Sequence, residues 1–303
     1  MARAISLASD RRQWGLARIG RTWRSRRGIT TTPLAEVEIN HNDDNGSSIT
    51  DLLRPHYESQ TPIILKNYAR TWPALSQWTK WDYLKSRVGD DWPCDVEMGA
   101  YNNKERLTIP FVSYMDYLTL YQEQQESMEQ GNEDSESSPI LYLAQNDLPK
   151  GLYDDIVLPP FLNASKHNVG SMETENRSFS NGSFTLGHGR LYQCMWWMGP
   201  PRAESPLHFD PLDNILVQVV GRKQVQLLDR NTPREHLRAG VAYGQQENTS
   251  TLPMRALLKG GMSKTSMETA ANLTFLQGTL EPSDALYIPA KWWHYVESPV
   301  DFT

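Results

Sequence analysis

The chain has only two cysteines in 303 residues, Cys94 and Cys194. No apolar run approaches the roughly 20 residues that a helical membrane span needs. Two thiols cannot build a disulfide framework, so a small cross-linked scaffold is excluded and buried free thiols in a reducing compartment are expected. Hydrophobic residues still make up 39% of the chain, enough at this length for a sizeable core in one large domain or two small ones. No internal repeat is visible.

Acidic residues are scarce in one stretch. Residues 1–29 hold eight arginines (Arg3, Arg11, Arg12, Arg18, Arg21, Arg24, Arg26, Arg27) against a single acid, Asp10. An Arg-rich, acid-poor start without a continuous apolar core is the profile of a mitochondrial transit peptide, and Arg27-Gly28-Ile29 before Thr30 resembles a matrix-processing site. The mitochondrial matrix is therefore the expected location. A retained basic tail on a cytoplasmic or nuclear protein is the alternative. Without this stretch the net charge of −6 becomes −13, because eight arginines and one aspartate carry +7. An acidic body argues against nucleic acid as the main partner and suits a basic protein substrate. The Asn-x-Ser/Thr triplets, such as those at Asn163 and Asn248, carry little meaning without a secretory signal.

Past residue 30 the pattern is one of short elements. A helical stretch at Ile49 to Arg54 precedes a strand at Pro62 to Leu65. Thr79-Lys-Trp-Asp82 has capping-box spacing ahead of a helix that Gly89 ends. A strand is expected at Val96 to Gly99 and a helix from Val112 to Tyr121. Residues 122–138 are acidic and almost without apolar side chains, and 163–189 are rich in Asn, Ser and Gly, so both are expected to be disordered inserts. Further strands are expected at Ile140 to Gln145, Leu191 to Met198 and Leu273 to Leu276. Many short strands between Gly, Pro and Asp turns suit a mostly β double-sheet jelly roll of cupin type, with helices in the N-terminal third. The expected organisation is a leader or tail at 1–29, a flanking part at 30–190 and a barrel at 191–303.

The chemistry concentrates in Ser205-Pro-Leu-His208-Phe-Asp210. Residues two apart in a strand share a face, so His208 and Asp210 present an imidazole and a carboxylate together. A third ligand such as His294, in Leu286-Tyr-Ile-Pro-Ala-Lys-Trp-Trp-His294, would complete two histidines and one carboxylate, a set that suits Fe(II) with open positions. Val220-Gly221-Arg222-Lys223 reads as a two-residue hairpin of type II′. Lys223 then shares a face with Val225 and Leu227. A lysine aimed into a core calls for an anion, which a bound dicarboxylate would supply.

The runs His208 to Lys223 and Asp284 to Glu297 resemble the metal-and-lysine and distal-histidine segments of the JmjC protein hydroxylases, above all the arginyl-hydroxylase type. The likeness extends, with gaps, from about Pro62 to Glu297. It implies a double-stranded β-helix and Fe(II) held by His208, Asp210 and His294. It further implies a 2-oxoglutarate carboxylate met by Lys223, Tyr142 and Ser205, with Asn214 as a further polar contact to the co-substrate. O2 and 2-oxoglutarate would be consumed to give succinate and carbon dioxide while a protein C–H bond is hydroxylated. Glu97, Tyr101, Gln145 and Trp197 correspond to a substrate pocket, where a carboxylate beside aromatic faces would hold a guanidinium. The remaining histidines (His41, His56, His167, His188, His236) read as surface residues.

Relatives continue past the distal histidine through another strand, whereas here nine residues follow His294. An unpaired sheet edge is therefore expected, covered by another segment or a second copy of the chain. A truncated enzyme or a non-catalytic cupin scaffold is the competing outcome. A lysine demethylase and a tRNA-modifying hydroxylase are the enzyme alternatives.

Overall fold

A computed structural model describes residues 5–7, 23–24, 30–41, 49–98, 105–129, 139–159, 161–162, 186, 190–237, 247–259 and 273–299. In chain order the elements begin with strands β1 (Ile5–Leu7), β2 (Trp23–Arg24), β3 (Thr30–Pro33) and β4 (Glu36–Glu38), helix α1 (Ile49–Ser59) and β5 (Ile63–Lys66). Helices α2 (Ala74–Gln77) and α3 (Trp81–Val88), strands β6 (Pro93–Met98) and β7 (Glu105–Pro110), helix α4 (Phe111–Glu129) and β8 (Leu141–Asp147) follow. After a 3-10 turn at Lys150–Asp155 come β9 (Met195–Met198), β10 (Glu204–Phe209), β11 (Asn214–Val220) and β12 (Lys223–Leu228). Helices α5 (Arg234–Leu237) and α6 (Met254–Lys259) precede β13 (Thr274–Leu280), β14 (Ala285–Ile288) and β15 (Trp293–Glu297).

The strands form two sheets. One runs β4-β5-β14-β11-β1-β9-β8-β6-β7 and the other β10-β15-β12-β13-β3-β2. Ile64, Leu216 and Leu286 from the larger sheet meet Val225, Leu227 and Leu280 from the smaller in one buried cluster. Each such side chain contributes about 1.5–3 kcal/mol by leaving water, and this apolar filling makes the double-sheet jelly roll. A second cluster lies where α2, α3 and α4 meet the larger sheet. There the Trp196 ring sits 5.6 Å from Phe111, 6.1 Å from Trp92 and 6.4 Å from Trp78 between centroids. Asp155 ties this layer together by accepting from Trp78 Nε1 at 2.8 Å and from the Tyr83 hydroxyl at 2.8 Å. Strands on both sides of residue 190 share the larger sheet.

Several local expectations are corrected. Gly221 does adopt a positive φ of 70°, as a first-position turn glycine should, but β11 and β12 do not pair. The turn carries the chain from one sheet to the other. No capping box forms at Thr79: Lys80 is the residue before the helix and makes no side-chain cap, while the Thr79 hydroxyl donates to the Ser76 carbonyl at 3.1 Å. Helix α1 continues past Arg54 through Pro55 to Ser59. Helix α4 runs eight residues beyond Tyr121, so the first part of the acidic stretch is helical; the rest of that insert, and most of 163–189, lies outside the described residues.

At the sheet edges other segments of the chain supply the cover, one of the two expected outcomes. β15 is paired on both sides, with β10 and β12. β1 lies between β9 and β11, parallel to both. The outer edge of β10 is covered by residues 248–250, through Phe209 N donating to the Asn248 carbonyl at 3.0 Å and Ser250 N to Leu207 at 2.8 Å.

Candidate active site

His208 on β10 and His294 on β15 are register partners across the smaller sheet. Their ring centroids lie 4.2 Å apart. Asp210 follows β10 at once, and its Oδ2 lies 3.8 Å from His294 Nε2. One ligand atom from each of the three residues falls within 4.8 Å of the others, a grouping that can hold a metal ion. The tautomers favour this. His208 Nδ1 lies 2.7 Å from the Pro206 carbonyl and His294 Nδ1 3.0 Å from that of Trp292. A carbonyl only accepts, so each Nδ1 carries the hydrogen and each Nε2 keeps its lone pair for a metal, as ligating histidines are usually oriented.

Asn214, expected as a further polar contact to 2-oxoglutarate, stands beside the metal ligands. Its Nδ2 donates to Asp210 Oδ2 at 2.8 Å. The Asp210-Pro-Leu-Asp213 loop brings the first residue of β11 back alongside Asp210, and Asp213 pins that loop by accepting from the Tyr287 hydroxyl at 2.9 Å and Ala290 N at 3.2 Å. The other amide atom, Asn214 Oδ1, is buried without a hydrogen-bond partner among the described residues. Two imidazoles oriented through Nδ1, a carboxylate steadied by an amide and an orphaned buried oxygen together fit a non-haem Fe(II) site.

Lys223, Tyr142 and Ser205 come together deeper in the fold. Lys223 is 1% exposed, and its Nζ lies 2.8 Å from Ser298 Oγ, 3.5 Å from the Tyr142 hydroxyl and 5.0 Å from the centre of the Tyr142 ring. Ser205 lies beside the Tyr142 phenol and works against its rise, but burial, with a lesser contribution from the Glu97 charge, pushes that phenol well above its ordinary range. A buried ammonium among hydroxyls is a setting in which a carboxylate finds both charge and donors. Gly199 makes room for the Tyr142 ring, since a Cβ there would fall 2.5 Å from Tyr142 Cδ2 and 2.9 Å from Ala203 Cβ. Ser298 escaped the sequence analysis, although the two-residue period from His294 through Val296 points to it.

The expected pocket residues stand on the larger sheet. Glu97 on β6 is the direct register partner of Tyr142 on β8 on one side and of Arg106 on β7 on the other. Trp197 is half-buried and packs with Tyr142, Ala144 and Ala203, while its neighbour Trp196 is fully buried. Gln145 has a left-handed backbone, φ 58°, at an irregularity in the β8–β9 pairing. Tyr101 lies outside the described residues. Arg106, also missed by the sequence analysis, reaches Glu97 Oε1 at 3.0 Å and Gln145 Oε1 at 3.3 Å. Its place opposite Glu97 depends on a strand register that composition does not reveal.

The other polar candidates are accounted for structurally. Burial pushes both cysteine thiols up to about 12, which keeps them protonated and inert. His41 contacts the Asn67 carbonyl and His56 the Thr61 hydroxyl. His236 is half-buried in α5; His167 and His188 lie outside the described residues.

The family model described as a cupin-like domain matches residues 50–303. The chain belongs to the cupin-like JmjC family. Within that family it is 30% identical, over 84% of its own length and 51% of the relative's, to Lysine-specific demethylase JMJ30 of Arabidopsis thaliana. It is 27% identical to Jumonji C domain-containing protein 5 of Drosophila melanogaster, over 89% of this chain and 60% of that one. With Lysine-specific demethylase 8 of Xenopus tropicalis it shares 24% identity over 81% and 47% of the two chains. The JmjC chain thus spans about half the length of the curated relatives it matches. No helix among the described residues is long and apolar enough to cross a membrane.

Proposed function

We propose that this JmjC chain is an Fe(II)- and 2-oxoglutarate-dependent oxygenase that hydroxylates a protein side chain. The observation that carries the reading is the pair of facing histidines, each with Nδ1 tied to a backbone carbonyl and each with a ligand atom within 4.8 Å of one from Asp210. His208, Asp210 and His294 would hold the iron, which when bound supplies the oxidising chemistry that unactivated C–H bonds require. The chain's own residues bind and orient. Asn214 holds the Asp210 carboxylate by its amide, which fixes that oxygen beside His294. Lys223 offers a fixed cation, and the Tyr142, Ser205 and Ser298 hydroxyls offer protons, to the far carboxylate of 2-oxoglutarate. The burial of Lys223 and Tyr142 keeps water from that end.

A second enzyme reading has a specific observation behind it. Two of the named relatives are called lysine-specific demethylases, and demethylation starts from the same hydroxylation of a C–H bond. Purified protein with Fe(II), ascorbate and oxygen is expected to convert 2-oxoglutarate to succinate even without its protein substrate. His208→Ala and Lys223→Ala should each abolish that turnover. A folded wild type that binds metal and 2-oxoglutarate yet forms no succinate, with histone or basic peptides also present, would favour the non-catalytic scaffold.

A further inference from the structure

Directly opposed residues in an antiparallel pair point to the same face of a sheet. The register partners Arg106, Glu97 and Tyr142 therefore form one row across β7, β6 and β8, facing the side on which Tyr142 meets Lys223 and Ser205. The row is a gradient of burial. Tyr142 is 4% exposed, the Glu97 side chain 15% and the Arg106 side chain 59%. Glu97 is the carboxylate that would read a cationic substrate at the mouth of this site. In the free protein it already holds a guanidinium, that of Arg106, at 3.0 Å.

Gln145 reinforces this arrangement at a structural cost. Along a regular strand its side chain would alternate away from those of Tyr142 and Ala144. The irregular β8–β9 pairing and a left-handed backbone re-aim it, and its Oε1 comes within 3.3 Å of the same Arg106 Nη2. A non-glycine residue in that conformation stores strain, and such strain persists where surrounding contacts demand it. Two acceptors, one of them on a strained residue, converge on one guanidinium.

The geometry points to Arg106 as a specificity-determining residue that makes this corner of the site charge-neutral and selects an uncharged amide side chain over a substrate arginine. A primary amide matches the pair, because its N–H donates to Glu97 while its carbonyl accepts from Arg106. An arginine must instead displace Arg106 or share one carboxylate with a like charge. This inference rests on the reading of Glu97 as a substrate-facing residue of an oxygenase.

The test is calorimetric binding of two blocked pentapeptides, identical except for arginine or glutamine at the centre, to protein loaded with Mn(II) and 2-oxoglutarate. Wild type should prefer the glutamine peptide. Arg106→Gln should tighten the arginine peptide about fivefold, the size of one partly exposed ion pair, and weaken the glutamine peptide. Arg106→Lys should keep the wild-type order, and adding Glu97→Gln to Arg106→Gln should erase the gain. If Arg106→Gln binds the arginine peptide no more tightly than wild type, including no binding to either, Arg106 does not set specificity. A gain that survives Glu97→Gln overturns the proposal equally. Succinate formation by wild type is read separately, so a protein that turns over 2-oxoglutarate without the shift refutes only the role of Arg106, whereas a shift without turnover refutes only the oxygenase reading.

Discussion

His208 and His294 face one another across β10 and β15, with His294 5% exposed and each ring tied to a backbone carbonyl two residues upstream. Glu97 and Arg106 face one another across β6 and β7 in the same register relation, yet five of the six residues of β7 are exposed. The first pair is over-determined, since backbone, neighbouring ligand and supporting amide all dictate one orientation. The second is held by side chains in reach of water, where an ion pair contributes ~1 kcal/mol or less. The centre that must not move is built into the sandwich, while the corner that chooses a partner stands on an exposed hairpin that substitution can retune without disturbing the fold.

That contrast is sharpest at the ligands. Asp210→Ala should lower metal affinity by more than about 100-fold, because even residues supporting a ligand are worth 10–100-fold. Glu97→Ala should leave metal affinity unchanged. Titration of both variants with Mn(II) checks the difference, and equal losses would mean that the two regions are one unit.

A variant between the two regions comes next. Gly199→Ala places a methyl 2.5 Å from the Tyr142 ring, and overpacking of this kind costs about 1–3 kcal/mol. Thermal unfolding should register that loss, and 2-oxoglutarate should bind more weakly as Tyr142 shifts from Lys223. Metal affinity should hold. A stable variant with wild-type 2-oxoglutarate binding would show that the Tyr142 ring is not confined there.

The smallest effect belongs to the exposed corner. Gln145→Gly removes a side chain from a backbone of φ 58° and should stabilise the protein by about 1 kcal/mol or less as strain is relieved. It should also loosen Arg106. A drop in melting temperature would mean that the Arg106 contact outweighs the strain.

How much of this was legible follows from the same contrast. The spacing of His208 and Asp210 is a property of one strand, and the alternation of Lys223, Val225 and Leu227 of another, so the two-residue period exposed both. The cupin-type sandwich was legible because short strands recur between Gly, Pro and Asp turns. What depends on pairing between distant strands was hidden: the seat of Asn214 beside Asp210, the partnership of Arg106 with Glu97, and the parting of β11 from β12 into different sheets after an apparent hairpin. Thr79 had the composition of a helix cap, but the turn at Ser76 claims its hydroxyl. The helical start of the acidic stretch was hidden because polar residues can ride on the end of a helix whose first turns are anchored by Phe111 and Tyr114.

β1 has a consequence in time. Ile5 to Leu7 leave the ribosome roughly 190 residues before their neighbours on β9, and longer still before those on β11. At 5–20 residues per second that is roughly ten to forty seconds. During this interval Ile5 to Leu7 have neither neighbouring strand to pair with, and their backbone groups are left to water. The central place in the larger sheet thus belongs to the part of the chain that is made first, and it can be filled only after β9 and β11 have been made.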